Sequence, residues 1–225
     1  MHYAIRRAPQ ALGHPTADIE RPLWREAEAA AITHYERDDS GHRPPTSARL
    51  LYDDDFLTVA FCVKDRYVRA VAREFNDMVC QDSCVEFFVA PDADPTRDAY
   101  FNFEINCGGT MLLYRCPSTA EADAGVGRLH LDAAEGALLR VAATLPKVIE
   151  PEMAGPIDWS VECCVPWSLF ERHFGVDRPE PGTMWRGNFY KCGDHTSHPH
   201  WGSWAPMNAP TGFHQPAYFR PLLFV

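Results

Sequence analysis

The chain has 225 residues, of which 46% are hydrophobic and 23% are charged, a composition that excludes a disordered, collagen-like or coiled-coil protein. Its 31 acidic and 21 basic side chains give a formal net charge of -10, so we expect neither a nucleic-acid partner nor a membrane partner. No apolar run approaches the roughly 20 residues that span a bilayer, and the first residues lack the apolar stretch of a secretory signal. The chain is therefore expected to be cytoplasmic, or secreted if a leader has been removed.

Alternation of apolar and polar residues with a period of two predicts a chain built mostly of β-strands. The clearest examples are residues 57–63, 85–89 and 101–105, in which every second side chain is apolar. With weaker segments included, the pattern predicts about nine strands. They lie at residues 48–52, 57–63, 85–89, 101–105, 110–115, 138–145, 158–165, 185–191 and 218–225.

Helical segments are few and short. Residues 22–30 begin with Pro22, and residues 167–174 follow Pro166 and precede Gly175, which are start and stop signals for short helices. Residues 53–55 and 106–109 are typical of tight turns, and 116–127 and 146–157 of surface loops. Many strands without long helices predict an all-β fold, an antiparallel β-sandwich with jelly-roll or immunoglobulin-like layers and one or two short helices. No linker is evident, so residues 1–225 are expected to form a single domain.

The polar sides of three predicted strands carry groups that could bind sugar hydroxyls. Each strand of a sandwich turns one side to the core and the other to solvent or a ligand. Carboxylates, amides and an arginine on one face are the groups that hydrogen-bond vicinal hydroxyls, although polar side chains on a solvated face are expected in any sandwich. The candidates are Glu86, Asn102, Glu104, Arg186, Asn188 and Tyr190.

The segment from Trp185 to His214 is rich in aromatic residues and histidine. Aromatic rings stack on the apolar face of a pyranose while nearby polar groups fix its orientation, a combination that favours a small neutral ligand. The alternative is that Trp201 and Trp204 close one end of the core. The candidates for sugar contact are His195, His200, Trp201, Trp204, Phe213 and His214.

A transition-metal site is a further alternative in the same segment. His195, His198 and His200 lie near Cys192 and Asp194, and imidazole and thiolate are suitable zinc ligands, but the spacing matches no standard zinc motif. The eight cysteines form no CxxC pair, and we expect them to be reduced thiols.

Two other functions stay open at this point. Glu86 and Glu104 could be the carboxylate pair of a glycoside hydrolase, assisted by the segment from His195 to His214, if they lie about 5 Å or about 6.5–9.5 Å apart. A haem carrier could use Met184, Met207, Lys191 or a histidine as axial ligand.

An ordered series of motifs resembles the family 9 carbohydrate-binding modules and their single-domain, DOMON-like relatives. The series covers residues 48–53 (Ala-Arg-Leu-Leu-Tyr-Asp), 56–61 (Phe-Leu-Thr-Val-Ala-Phe) and 81–89 (Gln-Asp-Ser-Cys-Val-Glu-Phe-Phe-Val). It continues with 101–106 (Phe-Asn-Phe-Glu-Ile-Asn), Ser203-Trp204 and a closing segment from Phe213 to Phe219. The resemblance implies a β-sandwich that binds a mono- or oligosaccharide or a glycan chain end without catalysis. It also implies an association with glycoside hydrolases in carbohydrate catabolism.

The resemblance also implies roles for particular residues. Glu86 takes the place of a hydroxyl acceptor and Phe213 that of one of two stacking tryptophans, whereas the other ring would fall near Val79 or Cys80, where there is no indole. Bound structural calcium is implied as well, and no other cofactor is expected. Carboxylates for calcium are available at Asp53, Asp54, Asp55, Asp65 and Asp82, of which Asp65 is the preferred ligand.

Overall fold

A computed structural model describes residues 1–35, 40–207 and 212–225. Within these ranges the chain forms thirteen strands, which include all nine predicted ones and four shorter additions. The strands are β1 (Tyr3–Arg7), β2 (Ala30–Ile32), β3 (Thr46–Tyr52), β4 (Phe56–Ala70), β5 (Cys84–Ala90), β6 (Tyr100–Asn106), β7 (Met111–Cys116), β8 (Leu129–His130), β9 (Arg140–Ala143), β10 (Ile149–Pro166), β11 (Met184–Cys192), β12 (Trp201–Ser203) and β13 (Arg220–Phe224).

The described helices are short. The α-helices are α1 (Thr119–Asp123), α2 (Ala133–Gly136) and α3 (Trp167–Phe174). The prediction for 167–174 is confirmed, since α3 ends at Gly175 in the left-handed conformation that glycine adopts readily. Pro22 opens only a 3-10 turn, Pro22–Glu26. No helix in the described ranges combines the length and the apolar character needed to cross a membrane.

The strands form one curled sheet that folds into two facing layers. Its order is β8-β7-β6-β5-β11-β13-β1-β3-β4-β10-β9, with β12 paired to β11 and β2 to β3. The predicted sandwich is confirmed, but the sheet is mixed. β1 runs parallel to β13 at Tyr3 to Ile5 and parallel to β3 at Arg6 and Arg7, and so joins the two layers.

The main core lies between the two layers. It receives the alternating side chains of β5 and β6 that the sequence predicts as inward, among them Phe87 and Phe103. Trp159 of β10 and Phe189 of β11 pack into it from the two layers. A second, smaller cluster covers the opposite side of β5, β6 and β11, so this side of the sheet is not simply solvated.

Two predicted loops contain regular structure. Residues 149–157 extend β10 along the outer half of β4 through two irregularities in register, and because most of these side chains are exposed, no period-two pattern marks them. Residues 119–123 form α1, which begins with a capping box between Ser118 and Glu121. The turns predicted at 53–55 and 106–109 join β3 to β4 and β6 to β7.

Candidate functional site

The polar side of β5, β6 and β11 brings several predicted residues into one row. Glu86 pairs with Glu104 of β6 on one side and with Tyr190 of β11 on the other. Asn102 lies two residues from Glu104 and therefore on the same side of the sheet. We call Glu86, Asn102, Glu104 and Tyr190 the acidic face.

The acidic face is buried beneath loops. Glu86 and Glu104 are 3% and 4% exposed, because the loops that follow β4, β11 and β12 fold over them. Five half-buried residues surround the face, four on these loops and Trp201 at the start of β12, and we call them the rim. They are Cys80, Asp194, Trp201, Phe213 and His214.

Hydrogen bonds hold the two glutamates differently. Asn102 Nδ2 donates to Glu104 Oε1 over 2.7 Å, and the amide oxygen of Asn102 accepts from the backbone N–H of Tyr114. Cys192 Sγ donates to Glu86 Oε1 over 3.0 Å. Glu104 Oε2 is buried and has no hydrogen-bond partner among the described residues. One carboxylate oxygen of the acidic face is therefore left without a partner among the described residues.

Burial changes the protonation of both glutamates. It raises the pKa of Glu86 well above the usual value, and the neighbouring Glu104 raises this pKa further. Burial, followed by the charge of Asp194, raises the pKa of Glu104 to about 7. Near neutral pH the pair can therefore both donate and accept hydrogen bonds, which suits hydroxyl groups.

The rim supplies aromatic surface. Phe213 stacks on Tyr190 with ring centroids 4.2 Å apart and an interplanar angle of 18°. The indole N–H of Trp201 donates to Asp194 Oδ1 over 2.6 Å. His214 Nδ1 is 2.8 Å from the Tyr100 hydroxyl. Since Trp201 and Phe213 are only half-buried, part of each ring faces outward.

Five predicted site residues do not join this group. Trp204 packs in the main core against Tyr3 and Phe189, as the core alternative requires. Asn188 accepts from the backbone N–H of Ala205 and is fully buried. Both side chains therefore lie apart from the acidic face. The same holds for buried His200, bonded to Lys191, and for Arg186, whose Nη2 donates to the Pro216 carbonyl, while His195 is exposed outside the rim.

The predicted histidine metal site is not formed either. His198 stacks on Tyr67 with centroids 3.6 Å apart, and His200 Nε2 accepts from Lys191 Nζ over 2.8 Å. The described potential metal ligands that do converge are Cys84, Glu86 and Cys192. Cys84 is not among the residues predicted from the sequence to bind a metal. It lies two residues before Glu86, so extending the alternation of β5 by one step places it on the same side of the strand.

The donors around Asp65 do not fit calcium. Asp65 accepts from Trp159 Nε1 over 3.3 Å, His42 Nε2 lies 2.8 Å away, and Lys191 Nζ lies 3.6 Å away. Burial alone would raise the pKa of Asp65, but Lys191 and the bond with His42 outweigh it and hold the pKa below its usual value. A lysine ammonium already occupies the place of a cation, and Asp82 likewise accepts from backbone N–H groups.

A cavity of about 320 Å³ lies away from these residues, between the loop that joins β5 to β6, the end of β7 with α1, and the end of α3. Its charged side chains neutralise each other in pairs, Arg97 with Asp92 and Arg115 with Glu121. It contains none of the predicted site residues, and the acidic face remains the candidate site.

Comparison with known proteins decides the family. The sequence profile described as carbohydrate-binding family 9 matches residues 23–224, nearly the whole chain. The chain belongs to carbohydrate-binding family 9. The family expected from the motif series is thereby confirmed, whereas a search of curated proteins finds no match.

Solved structures of carbohydrate-binding proteins share the fold. A protein of Bacteroides uniformis ATCC 8492, assigned as carbohydrate-binding, has 28% sequence identity and a TM-score of 0.85, with 99% of this chain and 98% of that chain covered. A family 9 module of Caldicellulosiruptor kristjanssonii in complex with cellotriose has 13% identity and a TM-score of 0.65, covering 100% and 93%. A module from the same organism in complex with glucose has 14% identity and a TM-score of 0.60, covering 99% and 95%.

Proposed function

We propose that the acidic face and its rim bind carbohydrate, a mono- or oligosaccharide or a glycan chain end, without catalysis. The observation that carries this proposal is the buried pair of Glu86 and Glu104 beneath the half-exposed rings of Trp201 and Phe213. Membership of a carbohydrate-binding family supports it. So do the ligands of the Caldicellulosiruptor modules, cellotriose and glucose.

The glutamates would bind adjacent hydroxyl groups. They emerge from neighbouring strands at directly paired positions, where the Cβ atoms of a pair lie about 4.5–5.5 Å apart. Glu104 Oε2 is a hydrogen-bond acceptor without a partner among the described residues. Because the pKa of Glu104 is about 7, the pair keeps a proton near neutral pH and can also donate a hydrogen bond. Neutral sugar hydroxyls suit this site, because a bound anion would be repelled.

The rings of the rim would form the apolar contact. Val79 is fully buried and Cys80 carries no ring, so the two-tryptophan clamp implied by the resemblance is not built here. The ring of Phe213 stacks on that of Tyr190, and a hydrogen bond to Asp194 orients the ring of Trp201. We therefore place the sugar against Trp201 of β12 and Phe213 of the segment that follows β12.

Binding is favoured over hydrolysis and over haem carriage. In a glycoside hydrolase the two carboxyl groups flank the scissile bond, whereas Glu86 and Glu104 project side by side from paired positions on the same side of the sheet. A separate enzyme would then perform the cleavage, which agrees with the expected association with glycoside hydrolases in carbohydrate catabolism. The suggested haem ligands do not share a site, since Lys191 is buried beside Asp65 while Met184 is exposed at the other end of β11.

Titration calorimetry with glucose, cello-oligosaccharides and xylo-oligosaccharides tests the proposal. Phe213→Ala should weaken binding about fivefold, the value of about 1 kcal/mol for one aromatic contact. Glu86→Ala should weaken it about two- to tenfold, since the protonated carboxyl group makes neutral hydrogen bonds that contribute about 0.5–1.5 kcal/mol. Glu171→Gln, an exposed position on α3, should leave affinity unchanged. Absence of binding to every sugar tested, or unchanged affinity in both the Phe213 and the Glu86 variants, would refute the site.

A further inference from the structure

Two cysteines and a glutamate converge at one end of the acidic face. Cys84 of β5 and Cys192 of β11 are direct cross-strand partners, and Glu86 lies two residues further along β5 on the same side. The ligand atoms of the three side chains all lie within 4.8 Å of one another. Their exposures are 0%, 1% and 3%, so water does not compete freely for these atoms.

We propose that Cys84, Cys192 and Glu86 bind a zinc ion. Two thiolates and one carboxylate suit zinc, with zinc–sulfur bonds of about 2.3 Å and zinc–oxygen bonds of about 2.0–2.2 Å. Two sulfurs on one tetrahedral ion stand about 3.8 Å apart, a separation compatible with the spacing here. Hard cations such as calcium prefer oxygen ligands and more of them, so the thiols exclude calcium at this point.

Glu104 provides an independent observation that points to a ligand. It lies directly opposite Glu86, is 4% exposed, and its Oε2 has no hydrogen-bond partner among the described residues. Buried polar atoms are nearly always paired, so the unpaired oxygen of Glu104 indicates a partner that the described residues do not supply. Glu104 lies outside the group of three ligand atoms, so its expected role is to orient a water on the ion.

Zinc binds thiolates, so an ion held by Cys84 and Cys192 would displace the protons of both thiols. The half-exposed Cys80, whose carbonyl lies 3.8 Å from Cys192 Sγ, marks the side of the group nearest solvent.

Cobalt titration of the reduced, metal-free full chain tests the proposal. Tetrahedral Co²⁺ with thiolate ligands absorbs in the near ultraviolet by charge transfer and in the visible by d–d transitions. We expect both features at one equivalent per chain, and their loss when Zn²⁺ is added, because zinc binds such sites more tightly. Reduction is maintained throughout, since Cys84 and Cys192 face each other and an oxidised pair would not bind.

Variants separate this group from the other thiols. Cys84→Ala and Cys192→Ala should each lose the charge-transfer band, and Glu86→Gln should keep the band but bind cobalt at least about tenfold more weakly. Cys163→Ala is the matched control, because Cys163 is equally buried but belongs to β10 in the main core. Its spectrum should equal that of the unmodified chain.

A second measurement does not depend on folding of the variants. Crystals grown with Zn²⁺ should show anomalous scattering at the zinc edge between Cys84 and Cys192. Either no cobalt spectrum at saturating metal, or zinc bound only elsewhere, overturns the proposal. Glu86 belongs to both proposed sites, so Cys84→Ala and Cys192→Ala report on zinc, and Phe213→Ala in the metal-free chain reports on sugar.

Discussion

Replacing Lys191 with methionine tests the buried ion pair that the structure places where calcium was expected. Lys191 Nζ lies 3.6 Å from Asp65 Oδ2, and both side chains are 0% exposed. The ammonium also donates to the carbonyl of Cys192 and to His200 Nε2, each over 2.8 Å. Methionine keeps an unbranched chain of similar length and removes only the charge and its hydrogen bonds.

The expected loss of stability follows from this distance. At an effective dielectric constant of about 20, two unit charges 3.6 Å apart attract each other by about 4–5 kcal/mol. Removing one member of a buried pair costs about 3–5 kcal/mol, since the remaining charge stays desolvated. We therefore expect Lys191→Met to lower the free energy of unfolding by about 3–5 kcal/mol. Combining it with Asp65→Asn should recover a large part of that loss.

Urea unfolding followed by tryptophan fluorescence measures these differences. Lys64→Met, an exposed position next to Asp65 on β4, is the control and should change stability by no more than about 0.5 kcal/mol. A change in Lys191→Met as small as that of the control would refute the reasoning. So would stabilisation of the chain by millimolar calcium that Asp65→Asn abolishes, because Asp65 would then be a calcium ligand.

Three further predictions concern residues outside the candidate site. Tyr3→Phe should cost about 1–3 kcal/mol in the same urea assay, because the hydroxyl accepts from the backbone N–H of Leu50, and a cost near zero would contradict this. Trp204→Ala should cost about 3–5 kcal/mol without changing the sugar affinity of the folded chain; altered affinity would return Trp204 to the site. Burial, followed by the charge of Lys191, lowers the pKa of His200 to about 2, whereas an unfolded histidine titrates near 6.5. The unfolded state therefore binds the extra proton, so stability should fall by up to about 1.4 kcal/mol per unit as pH drops below about 6.5, and less steeply in His200→Gln.

The acidic face was predictable because it depends on strand alternation. Glu86, Asn102 and Glu104 lie on the side opposite Phe87 and Phe103, as a period of two requires. The same rule places Cys84 beside Glu86. Sequence reasoning did not use it there, because a thiol in a strand was interpreted as a small apolar side chain.

The rim could not be derived in the same way. Trp201 and Trp204 are three residues apart and chemically identical, yet Trp201 is half-exposed at the site and Trp204 lies in the main core. The difference arises because Trp201 pairs with Cys192 and the N–H of Trp204 donates to the Phe189 carbonyl, so alternation turns the two rings to opposite sides of the sheet. Which of these sides is the core is decided by the pairing with β11. Likewise, His200 is bonded to Lys191 because β11 turns this lysine inward, toward Asp65 of the other layer.

The amino-acid sequence by itself determined the β-sandwich, its family and the side of each central strand, because alternation and ordered motifs are local properties of the chain. The tertiary structure decided which residues meet across strands and loops. It brought Glu86 together with Glu104, Tyr190 and Cys192, and it paired Asp65 with Lys191. These contacts join residues up to 126 positions apart. They depend on the register and curvature of the sheet, which a one-dimensional pattern does not contain.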